Sequence, residues 1–225
     1  MSFVVDLNTL VKIGILLMFV CHFGVGVYSI IRNPRSSVIR AWFFLCIAVG
    51  IWAGVLFLLI IRSWTEQQAV LYSQLLHLGA SFIPIFFFHF IILLIQARTF
   101  KFNLILIVGY LMAVIFAGLS FTPAIVVHAQ PFFGFDQWVA AGPLYPLLLV
   151  YFWIYALTSL VLLFRAYRRS DGVLRKKYFY IFIAGLIGFG AGGTNFLPQT
   201  LGIYPYGNLI MWLDPLLITY GIFVE

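Results

Sequence analysis

Residues 165–177 read Arg-Ala-Tyr-Arg-Arg-Ser-Asp-Gly-Val-Leu-Arg-Lys-Lys, six basic residues in a short break between two long apolar stretches. Working outward, the same composition recurs in every second break. Arg98 and Lys101 occupy the third break, and Arg32, Arg35 and Arg40 the first. Eleven of the thirteen basic residues thus fall in alternate breaks, and Lys12 and Arg62 lie on the opposite side. Cytoplasmic loops of membrane proteins retain Lys and Arg, and this bias sets orientation. The pattern predicts an all-α membrane protein, a seven-transmembrane helix bundle with its N-terminus outside and its C-terminus cytoplasmic.

Composition agrees. Of 225 residues, 64% are hydrophobic and 8% charged, whereas soluble domains carry about 25% charged residues. Spanning a hydrocarbon core of about 30 Å takes about 20 apolar residues, so seven helices fit this length as one domain. A net charge of +7 gathered on one membrane side points to anionic cytoplasmic lipid and away from nucleic acid. Cys21 and Cys46 both lie in apolar stretches, so no structural disulfide is expected. The first helix has Asp6 and no basic leader, which argues against a cleaved signal peptide. No internal repeat is visible, which counts against a carrier built from duplicated halves.

The predicted helices cover about 7–31, 38–61, 68–96, 102–121, 143–164, 178–196 and 206–223. The third is long enough to tilt, or to kink at Pro84. One outer connection is long, 122–142. It has no Lys or Arg, alternates in polarity, and carries Phe132, Phe133, Phe135 and Trp138. It is either an aromatic anchor at the interface or a lid over a pocket. The 165–177 segment is expected to be a basic hinge between helices five and six. Gly50 and Gly54 on helix two, and Ala184, Gly188 and Gly192 on helix six, have the small-residue spacing of close helix packing.

Polar groups inside a bilayer are costly, so each needs a reason. Asp214 precedes Pro215 and is expected about 10–12 Å below the outer interface. Proline there frees a carbonyl one turn earlier and opens the helix. Asn195, Asn208 and Trp212 are expected nearby. Gln74, His77 and Ser81 share one face of helix three at a similar depth, so a His77–Asp214 contact is geometrically allowed. These seven residues are the candidate ligand-binding set; a structural hydrogen bond across helices is the competing account of each. At the junction of helices six and seven, Pro198, Pro205, Gly202 and Gly207 make a stiff outer turn, with Gln199 among its polar groups.

Other chemistries are excluded or disfavoured. Haem would need two of His22, His77 and His89 at one depth, but helix rise puts them at roughly 22, 13 and 30 Å. No lysine lies within the last helix, where a retinal protein needs one. Signatures of soluble enzymes, a phosphate loop or a metal-binding HExxH among them, are absent. No catalytic residue, metal or cofactor is expected.

Helix three reads Phe82-Ile-Pro-Ile-Phe-Phe-Phe-His-Phe90, and the last junction reads Asn195-Phe-Leu-Pro198, then Gly202-Ile-Tyr-Pro-Tyr-Gly-Asn208. With the Tyr220-Gly-Ile222 exit and the N-out layout, the chain resembles the N-terminal seven-transmembrane sensor region of bacterial sensor histidine kinases. The resemblance implies a two-component receptor in the bacterial inner membrane, with a cytoplasmic kinase or other output module after Glu225. It also implies a homodimer. The output module itself is absent from these 225 residues, so the chain reads as the sensor part and not as an enzyme. The expected ligand is a lipid or other small hydrophobic or amphipathic molecule, bound in the outer half of the bundle. A small-molecule or proton-coupled transporter using Asp214 and His77 is the alternative.

Overall fold

The computed structural model describes residues 6–97 and 99–223; Arg98 and Glu225, which figure in the charge and output arguments, lie outside the described residues. Four long helices come first: α1 (Leu7–Arg32), α2 (Ser37–Ile61), α3 (Glu66–Leu94) and α4 (Phe100–Leu119). Two strands, β1 (Val126–Phe132) and β2 (Phe135–Ala141), separate them from α5 (Tyr145–Arg169) and α6 (Gly172–Gly193). The chain ends in short α7 (Leu197–Leu201) and ten-residue α8 (Asp214–Phe223). Tight 3-10 turns cover Thr194–Phe196, Tyr206–Leu209 and Met211–Leu213.

Local chemistry sets the helix starts. Asp6 accepts from the Asn8 and Thr9 amides at the head of α1. Ser36 and Thr99 cap α2 and α4 in the same way. Thr65 and Gln68 form a reciprocal capping box at the head of α3. Each cap satisfies amides that have no partner inside the helix. Among the described residues, six spans, α1 to α5 and the stretch 172–201, are long and apolar enough to cross a membrane. The chain is a multi-pass membrane protein.

The helices close into a ring. Following the contacts, α1 packs on α2, α2 on α3, α3 on α5, α5 on α6, α6 on α8, and α8 back on α1. Helix α4 lies outside this ring against α3, with most of its side chains turned outward. Within the ring sit Trp42, Phe87, Phe90 and Met18, all buried. Small residues allow the close approaches: a Cβ at Gly79 would meet the backbone of Ala48 and Trp52.

Several expectations need correction. The protein is all-helical as expected, but the long 122–142 connection is built as an antiparallel hairpin over 126–141, with Phe132 opposite Phe135 across a two-residue turn. Phe133 (φ 51°) and Gly134 (φ 79°) both occupy the left-handed region, as that turn class requires. The basic hinge shrinks to Ser170 and Asp171, because α5 runs on to Arg169 and α6 starts at Gly172. Arg and Lys are good helix formers, so both helices carry on through the basic residues. The last helix is not continuous over 206–223; its first eight residues form two 3-10 turns joined at Ile210, and regular helix starts at Asp214.

Candidate functional site

Two polar clusters lie in the bundle, one above the other. The deeper one centres on Asp214, the first residue of α8. The preceding 3-10 turns and Pro215 mark the joint, since proline at the start of a helix sacrifices no internal hydrogen bond. A carboxylate at this position also faces the positive end of the α8 dipole.

Across the ring, His22 Nε2 lies 3.6 Å from Asp214 Oδ2, and both residues are buried. His22 Nδ1 is 3.0 Å from the Met18 carbonyl. A carbonyl only accepts, so Nδ1 carries a hydrogen and Nε2 turns toward the carboxyl group. Asp214 Oδ1 is buried with no hydrogen-bond partner among the described residues. Gly188 makes room for the carboxylate, as a Cβ there would come within 2.8 Å of Oδ2.

The couple borders a central cavity of about 50 Å³. Its walls include Trp52, Phe87, Phe152 and Phe196, so it is almost wholly apolar apart from His22 and Asp214. The space admits water, for which roughly 10–15 Å³ suffices. It is well below the roughly 300 Å³ at which ligand pockets begin.

The outer cluster lies toward the hairpin. His77 Nδ1 bonds the Ser73 carbonyl at 2.7 Å, and its Nε2 is 3.2 Å from the Tyr145 hydroxyl. Gln199 donates to that hydroxyl at 2.6 Å and to the Asn195 carbonyl at 3.0 Å, while the Trp138 indole donates to Gln199 Oε1 at 2.8 Å. Asn195 and Asn208 exchange reciprocal side-chain bonds of 3.0 and 2.8 Å. The network thus ties β2, α3, α5 and the turn after α6 together. A space of about 10 Å³ lies among these groups. Trp52 and Phe196 line both cavities and separate them.

The hairpin closes one end of the bundle over this network. Asn8 donates to the Phe133 carbonyl at 3.0 Å and accepts from the Tyr204 hydroxyl at 2.6 Å. Ser63 donates to Asp136 at 2.6 Å, and Gln137 to the Trp64 carbonyl at 2.9 Å. Burial lifts the Tyr204 phenol to about 12, with nearby Asp6 adding to the effect.

The candidate residues from sequence divide between the clusters. His77, Asn195 and Asn208 belong to the outer network and Asp214 to the inner couple. The partner of His77 is Tyr145 and that of Asp214 is His22, so the allowed His77–Asp214 contact is not the one formed. Ser81 is buried and donates to the His77 carbonyl at 2.7 Å. Trp212 is half-buried and donates to the Leu209 carbonyl at 3.0 Å. Gln74 is half-buried and lines neither cavity. The sequence reading missed His22 and Tyr145 as site residues. Spacing within one helix carries no trace of a partner on another.

Among the described residues, no group of three or more His, Cys, Asp or Glu side chains is placed to hold a metal. Comparison with curated proteins finds no match. The family described as the N-terminal 7TM region of histidine kinase matches residues 14–223. That match spans nearly all the helices, the central cavity and both polar clusters, and the chain belongs to this family of membrane sensor regions.

Proposed function

We propose that the chain is the ligand-sensing part of a bacterial inner-membrane receptor, and that it relays a helix rearrangement to a cytoplasmic kinase-type output following α8. In this reading 206–223 makes the seventh crossing. Eight residues of 3-10 turn at about 2.0 Å each and ten of α-helix at about 1.5 Å each give roughly 31 Å, the thickness of a hydrocarbon core. The N-terminus is then outside and the basic ends of α5 and α6 are cytoplasmic.

The observation that carries the reading is the position of Asp214. It stands where irregular backbone becomes the final helix, and it faces a cavity in the middle of the ring. A group inserted there pushes directly on the joint from which α8 departs. The closed cavity is too small for a fatty acid or a quinone-type ring. A small hydrophobic or amphipathic ligand therefore binds an opened ring and not this one. That difference in affinity is what a ligand needs in order to shift a conformational equilibrium. The outer network and hairpin form the rim through which it enters.

The test is autophosphorylation of a chimera carrying this chain joined to a cytoplasmic kinase module, reconstituted with fatty acids, quinones and lipids in turn. One of these classes should change the rate, and Asp214→Asn or His77→Ala should shift the response. A rate indifferent to every ligand and to both substitutions would remove the pocket from the account. The buried pairing of His22 with Asp214 beside the central cavity favours a second reading, proton-coupled carriage. Acidification of a dye inside proteoliposomes on adding a substrate would support it.

A further inference from the structure

A second, larger recess lies on the basic side of the bundle, away from both polar clusters. It is a groove of about 390 Å³ between α2, α3 and α4. Ser37, Arg40, Ala41 and Phe44 line it from α2, Phe86, His89 and Leu93 from α3, and Tyr110 from α4. Because α4 packs on α3 outside the ring, the wedge it leaves beside α2 faces the surrounding bilayer. Phe44, at 53% exposure, forms part of its outer lip.

The groove is graded along the membrane normal. Arg40 is the fourth residue of α2, roughly 6 Å in from the helix start, and Tyr110 is the eleventh of α4, roughly 15 Å in. Arg40 is exposed, and its guanidinium is 3.4 Å from the Ser37 hydroxyl. Below it the wall is aromatic: Phe44 packs on Phe86 with centroids 6.0 Å apart, and Phe86 on Tyr110 at 5.9 Å. A bond of 2.6 Å between the Tyr110 hydroxyl and His89 Nδ1 fastens α4 to α3 at the floor. The volume falls within the range of ligand pockets, unlike the central cavity.

We propose that this groove binds one anionic phospholipid of the leaflet on the basic side, with its phosphate on Arg40 and an upper acyl chain along Phe44, Phe86 and Leu93. Guanidinium groups suit phosphate through paired, planar hydrogen bonds. Arg35 and Lys101 lie close in sequence to the same helix ends, adding positive potential where an anionic headgroup would sit. That this leaflet is the cytoplasmic one rests on the orientation proposed above; the preference for an anionic headgroup does not, and it is measured in detergent without reference to sidedness.

The experiment is native mass spectrometry of the delipidated 225-residue chain, titrated with phosphatidylglycerol and with phosphatidylcholine of identical acyl chains. The expected result is a first phosphatidylglycerol bound about fivefold more tightly than phosphatidylcholine, the preference one basic contact supplies. Arg40→Gln should abolish that preference. The double variant Arg168→Gln/Arg169→Gln, which removes more charge from the end of α5, should retain it. Leu93→Trp keeps every charge but fills the groove, and should lose the tightly held lipid. No preference in the unaltered chain, its survival in Arg40→Gln or Leu93→Trp, or its loss in the α5 variant would overturn the assignment.

Discussion

His22 on the first helix and Asp214 at the head of the last face one another at 3.6 Å across the centre of the ring. Asp214 is the side-chain partner of His22 Nε2, while His22 Nδ1 bonds the Met18 carbonyl. Removing one leaves the other buried without compensation, which typically costs about 1–3 kcal/mol. Removing both leaves well-packed apolar walls. Thermal unfolding in detergent should therefore show His22→Leu clearly destabilised and His22→Leu/Asp214→Leu less so. Additive losses in the two single variants and the double variant would show that the two side chains act independently.

The Tyr145 hydroxyl is shared by His77 and Gln199. Tyr145→Phe keeps the ring and its packing but removes one bond from each partner, leaving His77 Nε2 unpaired, and should cost about 1–3 kcal/mol. Because Gln199 also holds Trp138 of the hairpin, hydrogen exchange in 126–141 should speed up in this variant. Unchanged exchange there would mean that the hairpin is held by its other ties alone.

Two glycines separate close packing from open space. A Cβ at Gly207 would fall 2.0 Å from the Ala191 carbonyl oxygen, while one at Gly190 meets nothing within 4 Å. Backbone atoms cannot move aside as a side chain can. Gly207→Ala should destabilise by about 1–3 kcal/mol, as overpacking does, and Gly190→Ala should be neutral or mildly stabilising. Melting temperatures of the two variants check this directly.

The Asp6 carboxyl is held below its ordinary value of 3.8, first by the Thr9 hydroxyl and then by the Asn8 amide. A depressed carboxyl contributes its stabilisation above the unfolded value and loses it as pH falls through the folded one. Opening of the first turn of α1 should accordingly begin only below pH 3.8, and Asp6→Asn should remove this dependence. Amide shifts of Asn8 and Thr9 against pH report it.

Sidedness is open to a chemical test. A cysteine at His128 in the hairpin should react with an impermeant maleimide from outside intact cells, and one at Ser170 should react only after lysis. The reverse pattern would invert the proposed orientation.

Much of the fold could be read from residues alone, because helices in a bilayer are specified locally. Apolar length, caps such as Thr65 and Gln68, and breaks such as Asn33-Pro34 each act within a few positions. What escaped the reading depends on distant partners. Residues 206–213 look like the start of a helix, yet Gly207 lies against the α6 backbone and Asn208 bonds Asn195, which holds the segment in tighter turns. The hairpin showed only as alternation, since its strands are fixed by Asn8, Ser63, Trp64 and Gln199 from elsewhere. Asp214 stands out in the sequence as a costly polar group, but its partner on α1 becomes evident only when the ring closes.

That closure has a consequence for synthesis. His22 leaves the ribosome 192 residues before Asp214, an interval of roughly 10 to 40 s at ordinary elongation rates. Throughout it, the first helix waits in the bilayer with His22 Nε2 lacking its carboxyl partner, and the ring stands open on one side. Only the arrival of the final segment completes it. A chain lacking the α8 segment therefore leaves His22 without its side-chain partner at an open side of the ring.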